Sequence, residues 1–254
     1  MKKAIVCVSF GTSVDAARES ITAVEDALRR AAPESLVIRA FTSSIIRRIL
    51  AKRGEDVPGV SEALGSLWTQ GIREALVQPT HILYGYEYDK IKAEMAPWQE
   101  RFDTLRIGRP LLADTADIQT LTEALSQAYP PREDEALILF GHGTDHFANA
   151  VYPALQTSFQ LAGREDVLIG TVEGWPAYEE ISRQLKPGGR KCVHLVPLML
   201  VAGDHAMNDM AGEEADSWAS RLAAEGYTVR CTVQGLGLLP AVQGMYCAHL
   251  ESVL

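Results

Sequence analysis

Three side chains in the second half of the sequence, His142, Glu173 and His205, are of types that commonly bind transition metals. Each follows an apolar stretch typical of a parallel strand that helices cover on both faces. Because the carboxyl ends of parallel strands lie along one edge of a sheet, we expect these side chains to converge there. Two imidazoles and one carboxylate suit a divalent metal ion, and three protein ligands leave positions open for a substrate. Spacing alone also leaves open the alternative that these are three unrelated loop residues.

The most informative stretch is residues 195–210, LVPLMLVAGDHAMNDM. It begins as a continuous apolar run and breaks at Gly203, where the backbone can turn freely. Polar side chains follow at once, among them His205 and Asn208. The acidic residues here predict a solvated helix start, favoured by the helix dipole. A relay of carboxylates that passes hydrated metal to the site is the alternative for this set: Asp204, Asp209, Glu213, Glu214 and Asp216.

The other four histidines have less specific surroundings. His146 lies four residues after His142 and is interpreted as an exposed loop residue, or else as a residue that supports the metal ligands. We place His81 and His194 at the start of the third strand of each half, at the edge opposite the site, with structural roles. His249 lies in the last predicted helix and is expected at the surface.

The elements that must position these residues alternate between strand and helix, which predicts an α/β protein. We expect two doubly wound parallel-sheet domains related by a diverged duplication, since SFGTS and FGHGT follow the first strand of each half. Pro130 and Pro131 mark the boundary between domains 1–130 and 131–254, with a last helix that could pack on the first domain. The two domains are expected to face each other across a cleft. Strands are predicted at 4–10, 36–41, 75–84, 105–108, 136–140, 167–172, 192–201 and 228–233.

Composition excludes several classes of function. A net charge of −9 argues against non-specific binding to nucleic acid, which depends on Lys and Arg neutralising phosphates. No segment approaches the run of about 20 apolar residues that a membrane helix needs. The first residues, MKKAIVCVSF, are interpreted as a strand rather than a signal peptide. Four cysteines without a CxxC pair are expected to be buried and reduced, as in a cytoplasmic protein.

Two sets of residues in the first half are candidates for ligand contacts. Thr12 and Ser13 follow the first strand, where a helix N-terminus could hold an anion, although any helix cap looks similar. Tyr84, Tyr86 and Tyr88 could line an aromatic wall, with half-buried packing as an equally good interpretation.

Five segments together resemble the anaerobic sirohydrochlorin cobaltochelatases, small class II chelatases related in fold to ferrochelatase. The segments are MKKAIVCVSFGTS, RAFTSSIIRRIL, ILFGHGT, GTVEGWP and HLVPLMLVAGDHAMNDMAGEEADSW. The resemblance implies a tetrapyrrole held between two α/β domains, a metal held by His142, Glu173 and His205, and His142 as the proton acceptor. Gly174-Trp175 stands where some relatives have Ser-Tyr, so the pocket wall is expected to differ.

The resemblance implies insertion of Co²⁺ into sirohydrochlorin with release of two protons, in anaerobic cobalamin biosynthesis. Fe²⁺ insertion on the siroheme route, a non-enzymatic metal- or tetrapyrrole-binding protein, and a metal-dependent hydrolase with Glu173 as base are the alternatives. The metal is a substrate, no organic cofactor is expected, and a homo-oligomer is left open. Substrate contacts are predicted at Thr12, Ser13, Tyr88 and Met199. The substrate carboxylates are predicted to bind Arg47, Arg48, Lys90 or Lys92, with solvated helix residues as the alternative for these four.

Overall fold

The structure is a computed structural model that describes residues 3–186 and 189–253. Met1 and Lys2, the start of the segment compared above with a signal peptide, lie outside the described residues. The chain forms two compact units. The first unit runs to Ala113 and resumes at Gly237, and the second unit spans Asp114–Leu236.

Each unit contains a four-stranded parallel sheet. The order is β2-β1-β3-β4 in the first unit and β6-β5-β7-β8 in the second. The strands of the first unit are β1 (Lys3–Ser9), β2 (Ser35–Phe41), β3 (Glu74–Pro79) and β4 (Thr104–Ile107). Those of the second unit are β5 (Glu135–Gly141), β6 (Val167–Thr171), β7 (Cys192–Pro197) and β8 (Thr228–Cys231).

Helices cover the sheets of both units. In chain order the helices are α1 (Glu19–Ala31), α2 (Ser44–Lys52), α3 (Val60–Thr69), α4 (Tyr86–Met95), α5 (Thr115–Ala128), α6 (Val151–Leu161), α7 (Tyr178–Leu185), α8 (Trp218–Ala224) and α9 (Pro240–Glu251). A π-helical turn spans Ala206–Met210. Among the described residues, no helix combines the length and the apolar character that crossing a membrane requires.

The central strands form because their sequences are apolar on both faces. In β1 and in β5, every residue after the first is buried. Such continuous apolar runs are typical of parallel strands between two layers of helices. Each buried Val, Leu or Ile contributes about 1.5–3 kcal/mol, so these strands anchor the core of each unit. The predicted α/β architecture with two parallel sheets is confirmed.

The units change at residue 114, before α5, whereas the sequence analysis placed the boundary after that helix. In the second unit α5 packs on α6, where Thr122 Oγ1 lies 2.8 Å from Ser158 Oγ. In the first unit α9 packs on α1, and Tyr246 Oη donates to the Thr80 carbonyl at 2.7 Å. Helix α5 therefore belongs to the second unit, and α9 belongs to the first.

The third strand of each sheet ends at a proline, earlier than the sequence suggested. Pro79 pairs with Val8 and Pro197 pairs with Phe140, and a proline has no N–H to continue the ladder. His81 therefore follows the carboxyl end of β3, and its predicted place at the start of a strand is wrong. His194 is the third residue of β7, where its Nε2 lies 2.8 Å from Thr232 Oγ1.

Two predictions about burial also need correction. His249 is only 2% exposed, because α9 turns this residue toward the core on the same face as Val242, Met245 and Tyr246. All four cysteines are free thiols, as predicted, but only Cys7 is buried and Cys231 is exposed. Burial raises the pKa of the Cys7 thiol far above its usual range.

Candidate metal centre

Two of the three candidate ligands lie side by side after paired strands. His142 directly follows β5, and Glu173 comes two residues after β6. The strands pair through Gly141 and Thr171, and the backbone bonds continue beyond them. The Glu173 N–H donates to the His142 carbonyl at 2.7 Å. This continuation of the sheet ladder fixes the backbone of both candidates.

The two loops that carry these residues touch backbone to backbone. Gly143 has a φ of 80°, and a Cβ added there would lie 2.5 Å from the Gly174 nitrogen. A Cβ added at Gly174 would lie 2.9 Å from the Gly143 Cα. Side chains at either position would therefore push the loops apart.

The side chain of Asn149 also joins these two loops. Its Oδ1 accepts from the Thr144 N–H at 3.1 Å, and its Nδ2 donates to the Trp175 carbonyl at 2.6 Å. One amide thus bonds the loop after His142 to the loop after Glu173. We call this pair of hydrogen bonds the Asn149 clamp.

The third candidate, His205, lies beyond β7 at the start of the helical segment that continues into the π-helical turn. Its Nδ1 lies 2.5 Å from Asp209 Oδ2. Because an ionised carboxylate only accepts hydrogen bonds, Nδ1 carries the proton and the Nε2 lone pair is free. His142 has the same tautomer, since its Nδ1 lies 2.9 Å from the Gly143 carbonyl oxygen, which also only accepts.

The free nitrogen atoms and the carboxylate meet in one cluster. His142, Glu173 and His205 each offer a ligand atom, and these atoms lie within 4.8 Å of one another. His142 Nε2 is 3.7 Å from Glu173 Oε2, and the two imidazole rings are 4.7 Å apart at 89°. Ligand atoms around a tetrahedral ion with bonds of about 2.1 Å lie about 3.4 Å apart, so small side-chain movements suffice to bind one ion.

The cluster is open to solvent rather than closed. The side chains of His142 and Glu173 are 47% and 57% exposed, and that of His205 is 35% exposed. Structural metal sites have four protein ligands in a closed shell, whereas this set has three and an open side. The arrangement suits an ion that a second molecule can approach.

The residues predicted to contact substrate have diverse surroundings. In the first unit, Thr12 is buried and its Oγ1 accepts from the Val14 N–H, and the Ser13 carbonyl accepts from Arg53. Tyr88 is buried and donates to the Gly108 carbonyl, and burial raises its pKa to about 12. In the second unit, Met199 is half-buried against the core. Their predicted contacts with substrate remain predictions.

Among the basic candidates, three have partners inside the first unit. Arg47 pairs with Glu62, Lys90 donates to the Thr42 carbonyl, and Lys92 pairs with Asp89. Arg48 is exposed on α2.

His146 is half-buried rather than exposed and lies outside the ligand cluster, and a role in supporting the metal ligands stays a prediction. Its Nδ1 accepts from the Ala148 N–H at 3.0 Å, which caps the turn that begins at Phe147.

Two residues make contacts at the site that the sequence analysis did not predict. The sequence places Asp209 in a solvated helix start or a carboxylate relay, although its spacing of four from His205 places both on one helical face. Asn149 has no recognisable signal, because its two partners come from loops far apart in sequence.

Comparison with known proteins gives concordant matches. The family model for cobalt chelatases (CbiK) matches residues 3–254. A sirohydrochlorin cobaltochelatase of Salmonella typhimurium is 40% identical over 257 residues, covering 100% of this chain and 97% of that protein. The sirohydrochlorin cobaltochelatase CbiKC of Nitratidesulfovibrio vulgaris is 36% identical over 259 residues, covering 100% and 91%.

Solved structures share the fold at low sequence identity. SirB from Bacillus subtilis with Fe³⁺ has a TM-score of 0.68 and 16% identity, covering 100% of this chain and 96% of that one. CbiX, described as the terminal enzyme of siroheme biosynthesis in denitrifying bacteria, has a TM-score of 0.57 and 18% identity, covering 99% of each chain. The family match spans nearly the whole sequence, and so does the 40% identical relative. This chain belongs to the cobalt chelatase (CbiK) family.

Proposed function

We propose that this protein inserts Co²⁺ into sirohydrochlorin and releases two protons. The observation that carries the proposal is the open cluster of His142, Glu173 and His205, in which both histidines present Nε2. Membership of the cobalt chelatase family and the names of the two relatives support the choice of metal and tetrapyrrole.

The chemistry requires that the ion lose its water and that two pyrrole N–H groups lose their protons. In the proposal, the three side chains bind the ion and replace part of its hydration shell. The Glu173 carboxylate offsets part of the positive charge. When the ion passes to the ring nitrogens, His142 Nε2 becomes free to accept one pyrrole proton. The second proton leaves to solvent on the open side.

The hydrogen-bond partners of the histidines support different roles for them. The Nδ1 of His205 is bonded to a carboxylate, an arrangement that orients a metal-binding imidazole and strengthens it as a ligand. The Nδ1 of His142 is bonded to a neutral carbonyl. We therefore assign His205 to holding the ion and His142 to both binding and proton transfer.

The decisive experiment mixes the protein with excess sirohydrochlorin and Co²⁺ and follows the visible spectrum. Conversion of many equivalents of tetrapyrrole per protein, faster than in buffer, is expected for a chelatase. A spectral shift that stops at one equivalent would instead indicate a binding protein. No shift together with metal-dependent ester hydrolysis would indicate the hydrolase alternative.

A parallel series with Fe²⁺ under anaerobic conditions tests the choice of metal. We expect faster initial insertion with Co²⁺ than with Fe²⁺ at equal free metal concentration. Faster insertion of Fe²⁺ would favour the siroheme route instead.

A further inference from the structure

Each of the three loops that carry a candidate metal ligand also exposes one large apolar side chain. Phe147 follows His142 and is 89% exposed, Trp175 follows Glu173 and is 57% exposed, and Met207 follows His205 and is 46% exposed. Large apolar side chains at a protein surface often mark a binding site when they cluster. These three occur on the three loops whose ligand atoms lie within 4.8 Å of one another.

Hydrogen bonds hold the backbone at all three positions. The Trp175 carbonyl belongs to the Asn149 clamp, and the next carbonyl, of Pro176, accepts from the Thr171 N–H at 2.7 Å. Phe147 begins the turn capped by His146. The Met207 N–H donates to the Gly203 carbonyl at 3.0 Å. The apolar side chains are therefore presented by ordered backbone.

The charges near the metal ligands indicate which part of a tetrapyrrole this surface would bind. Glu173 and Asp209 place carboxylates at the cluster, and Asp204 adds another on the same segment as His205. A tetrapyrrole with many carboxylates is repelled by these groups. At these loops, attraction is therefore expected from its flat ring system, which stacks on aromatic rings and packs against a methionine sulfur.

Building on the proposed function, we infer that Phe147, Trp175 and Met207 form an apolar surface that contacts the flat face of the tetrapyrrole during metal transfer. The surface sets the height and tilt of the ring above the metal ligands, while the ring's carboxylates point outward. Trp175 makes the largest contact, because an indole offers the greatest flat area of the three side chains.

The test uses the variants Phe147→Ser, Trp175→Ser and Met207→Ser with Leu161→Ser as the matched control. Leu161 is 85% exposed at the end of α6 in the same unit, away from the ligand loops. Binding of metal-free sirohydrochlorin is measured by visible absorption, and Co²⁺ binding separately by calorimetry. We expect Trp175→Ser to weaken sirohydrochlorin binding by about tenfold, Trp175→Phe to retain most of it, and Co²⁺ affinity to change less than about twofold.

Several outcomes separate this inference from the proposed function. If the parent protein does not bind sirohydrochlorin, the proposed function fails. If the parent binds it and all three variants bind it equally well, only the apolar surface is wrong. If the variants alter the oligomeric state and leave sirohydrochlorin affinity unchanged, the surface is an interface between copies of the chain, which also overturns the inference.

Discussion

The partner of each Nδ1 decides how a histidine can serve the metal. His142 donates to the neutral Gly143 carbonyl, whereas His205 donates to the Asp209 carboxylate. Both contacts leave Nε2 free, yet only the second adds a negative charge behind the ring. Asp209 is therefore expected to act through His205, by holding its tautomer and orientation.

Asp209→Ala should lower Co²⁺ affinity by about 10- to 100-fold, as is usual when the partner of a metal-binding histidine is removed. Asp209→Asn should lower Co²⁺ affinity less, because the amide oxygen still accepts a hydrogen bond from His205 Nδ1. The matched control is Asp204→Ala, which removes a neighbouring carboxylate that bonds to Asn208. Calorimetric Co²⁺ titration measures all three, and parental affinity in Asp209→Ala would show that the contact does not support metal binding.

Substitutions at Glu173 and His142 are expected to affect different steps, metal binding in the first case and proton transfer in the second. Glu173→Gln removes charge but keeps a hydrogen-bonding group of the same size. It should weaken metal binding, and excess Co²⁺ should restore much of the turnover. His142→Ala removes the proposed proton acceptor, so excess Co²⁺ should not restore its turnover. Initial rates over a range of Co²⁺ concentrations measure both, and near-parental rates for His142→Ala at high Co²⁺ would contradict the role in proton transfer.

Loops rather than strands set the final geometry of the centre. Backbone hydrogen bonds that continue the sheet ladder fix the backbone at His142 and Glu173. Two further sets of contacts hold the loops that follow these residues. One is the contact between Gly143 and Gly174, and the other is the Asn149 clamp. Together they keep the imidazole and the carboxylate at a separation that one ion can bridge.

Asn149→Ala should therefore change the metal site as well as stability. Loss of two hydrogen bonds is expected to cost about 1–3 kcal/mol in free energy of unfolding. It should also weaken Co²⁺ binding several-fold and alter the visible bands of the bound ion, which report its coordination geometry. Absorption titration and urea unfolding give the two quantities.

Gln156→Ala is the matched control for Asn149→Ala. The Gln156 amide also bonds two backbone groups, the Val167 carbonyl at 2.7 Å and the Ile169 N–H at 2.7 Å, but it joins α6 to β6 away from the ligands. The Gln156→Ala variant should lose about as much free energy of unfolding as Asn149→Ala, while the visible spectrum of its bound Co²⁺ stays unchanged. Identical Co²⁺ spectra in the two variants would contradict a positioning role for Asn149.

Sequence patterns predicted these elements to different degrees. The apolar runs before His142 and Glu173 predicted where β5 and β6 end to within a residue, because burial on both faces requires such runs. The run before His205 continues past the end of β7, since Pro197 stops the ladder but leaves the loop apolar. Asn149 could not be predicted, because its role depends on contacts that only the folded chain creates.

The two units follow the same plan, and only one of them has the candidate ligands. The Ser43 N–H donates to the Phe10 carbonyl in the first unit, as the Glu173 N–H donates to the His142 carbonyl in the second. Gly11 and Gly143, the residues after Phe10 and His142, both have positive φ. This correspondence aligns Phe10 with His142, whereas the Phe-Gly match seen in the sequence aligns Phe10 with Phe140, two residues earlier. It supports a duplication in which the second copy carries the metal ligands.

Each unit also contains a histidine whose lowered pKa leaves it uncharged at neutral pH. Burial, reinforced by Lys90, lowers the pKa of His81 to about 4. Burial and then Arg230 lower the pKa of His194 to about 4, despite an opposing effect of Glu135. Arg230 Nη1 lies 3.2 Å from His194 Nε2, and a guanidinium only donates, so that nitrogen accepts and the ring is neutral.

The neutral state of His194 predicts how stability depends on pH. An unfolded histidine binds a proton near pH 6.5, whereas folded His194 resists protonation down to about pH 4. Between these values the unfolded chain binds more protons, so the free energy of unfolding falls as the pH is lowered. For His194 the expected loss between pH 7 and pH 5 is about 2 kcal/mol. His194→Gln should reduce this dependence, and His142→Gln, which removes an exposed histidine, should retain it. Urea unfolding at several pH values measures the effect, and equal slopes for the parent and His194→Gln would show that His194 does not cause it.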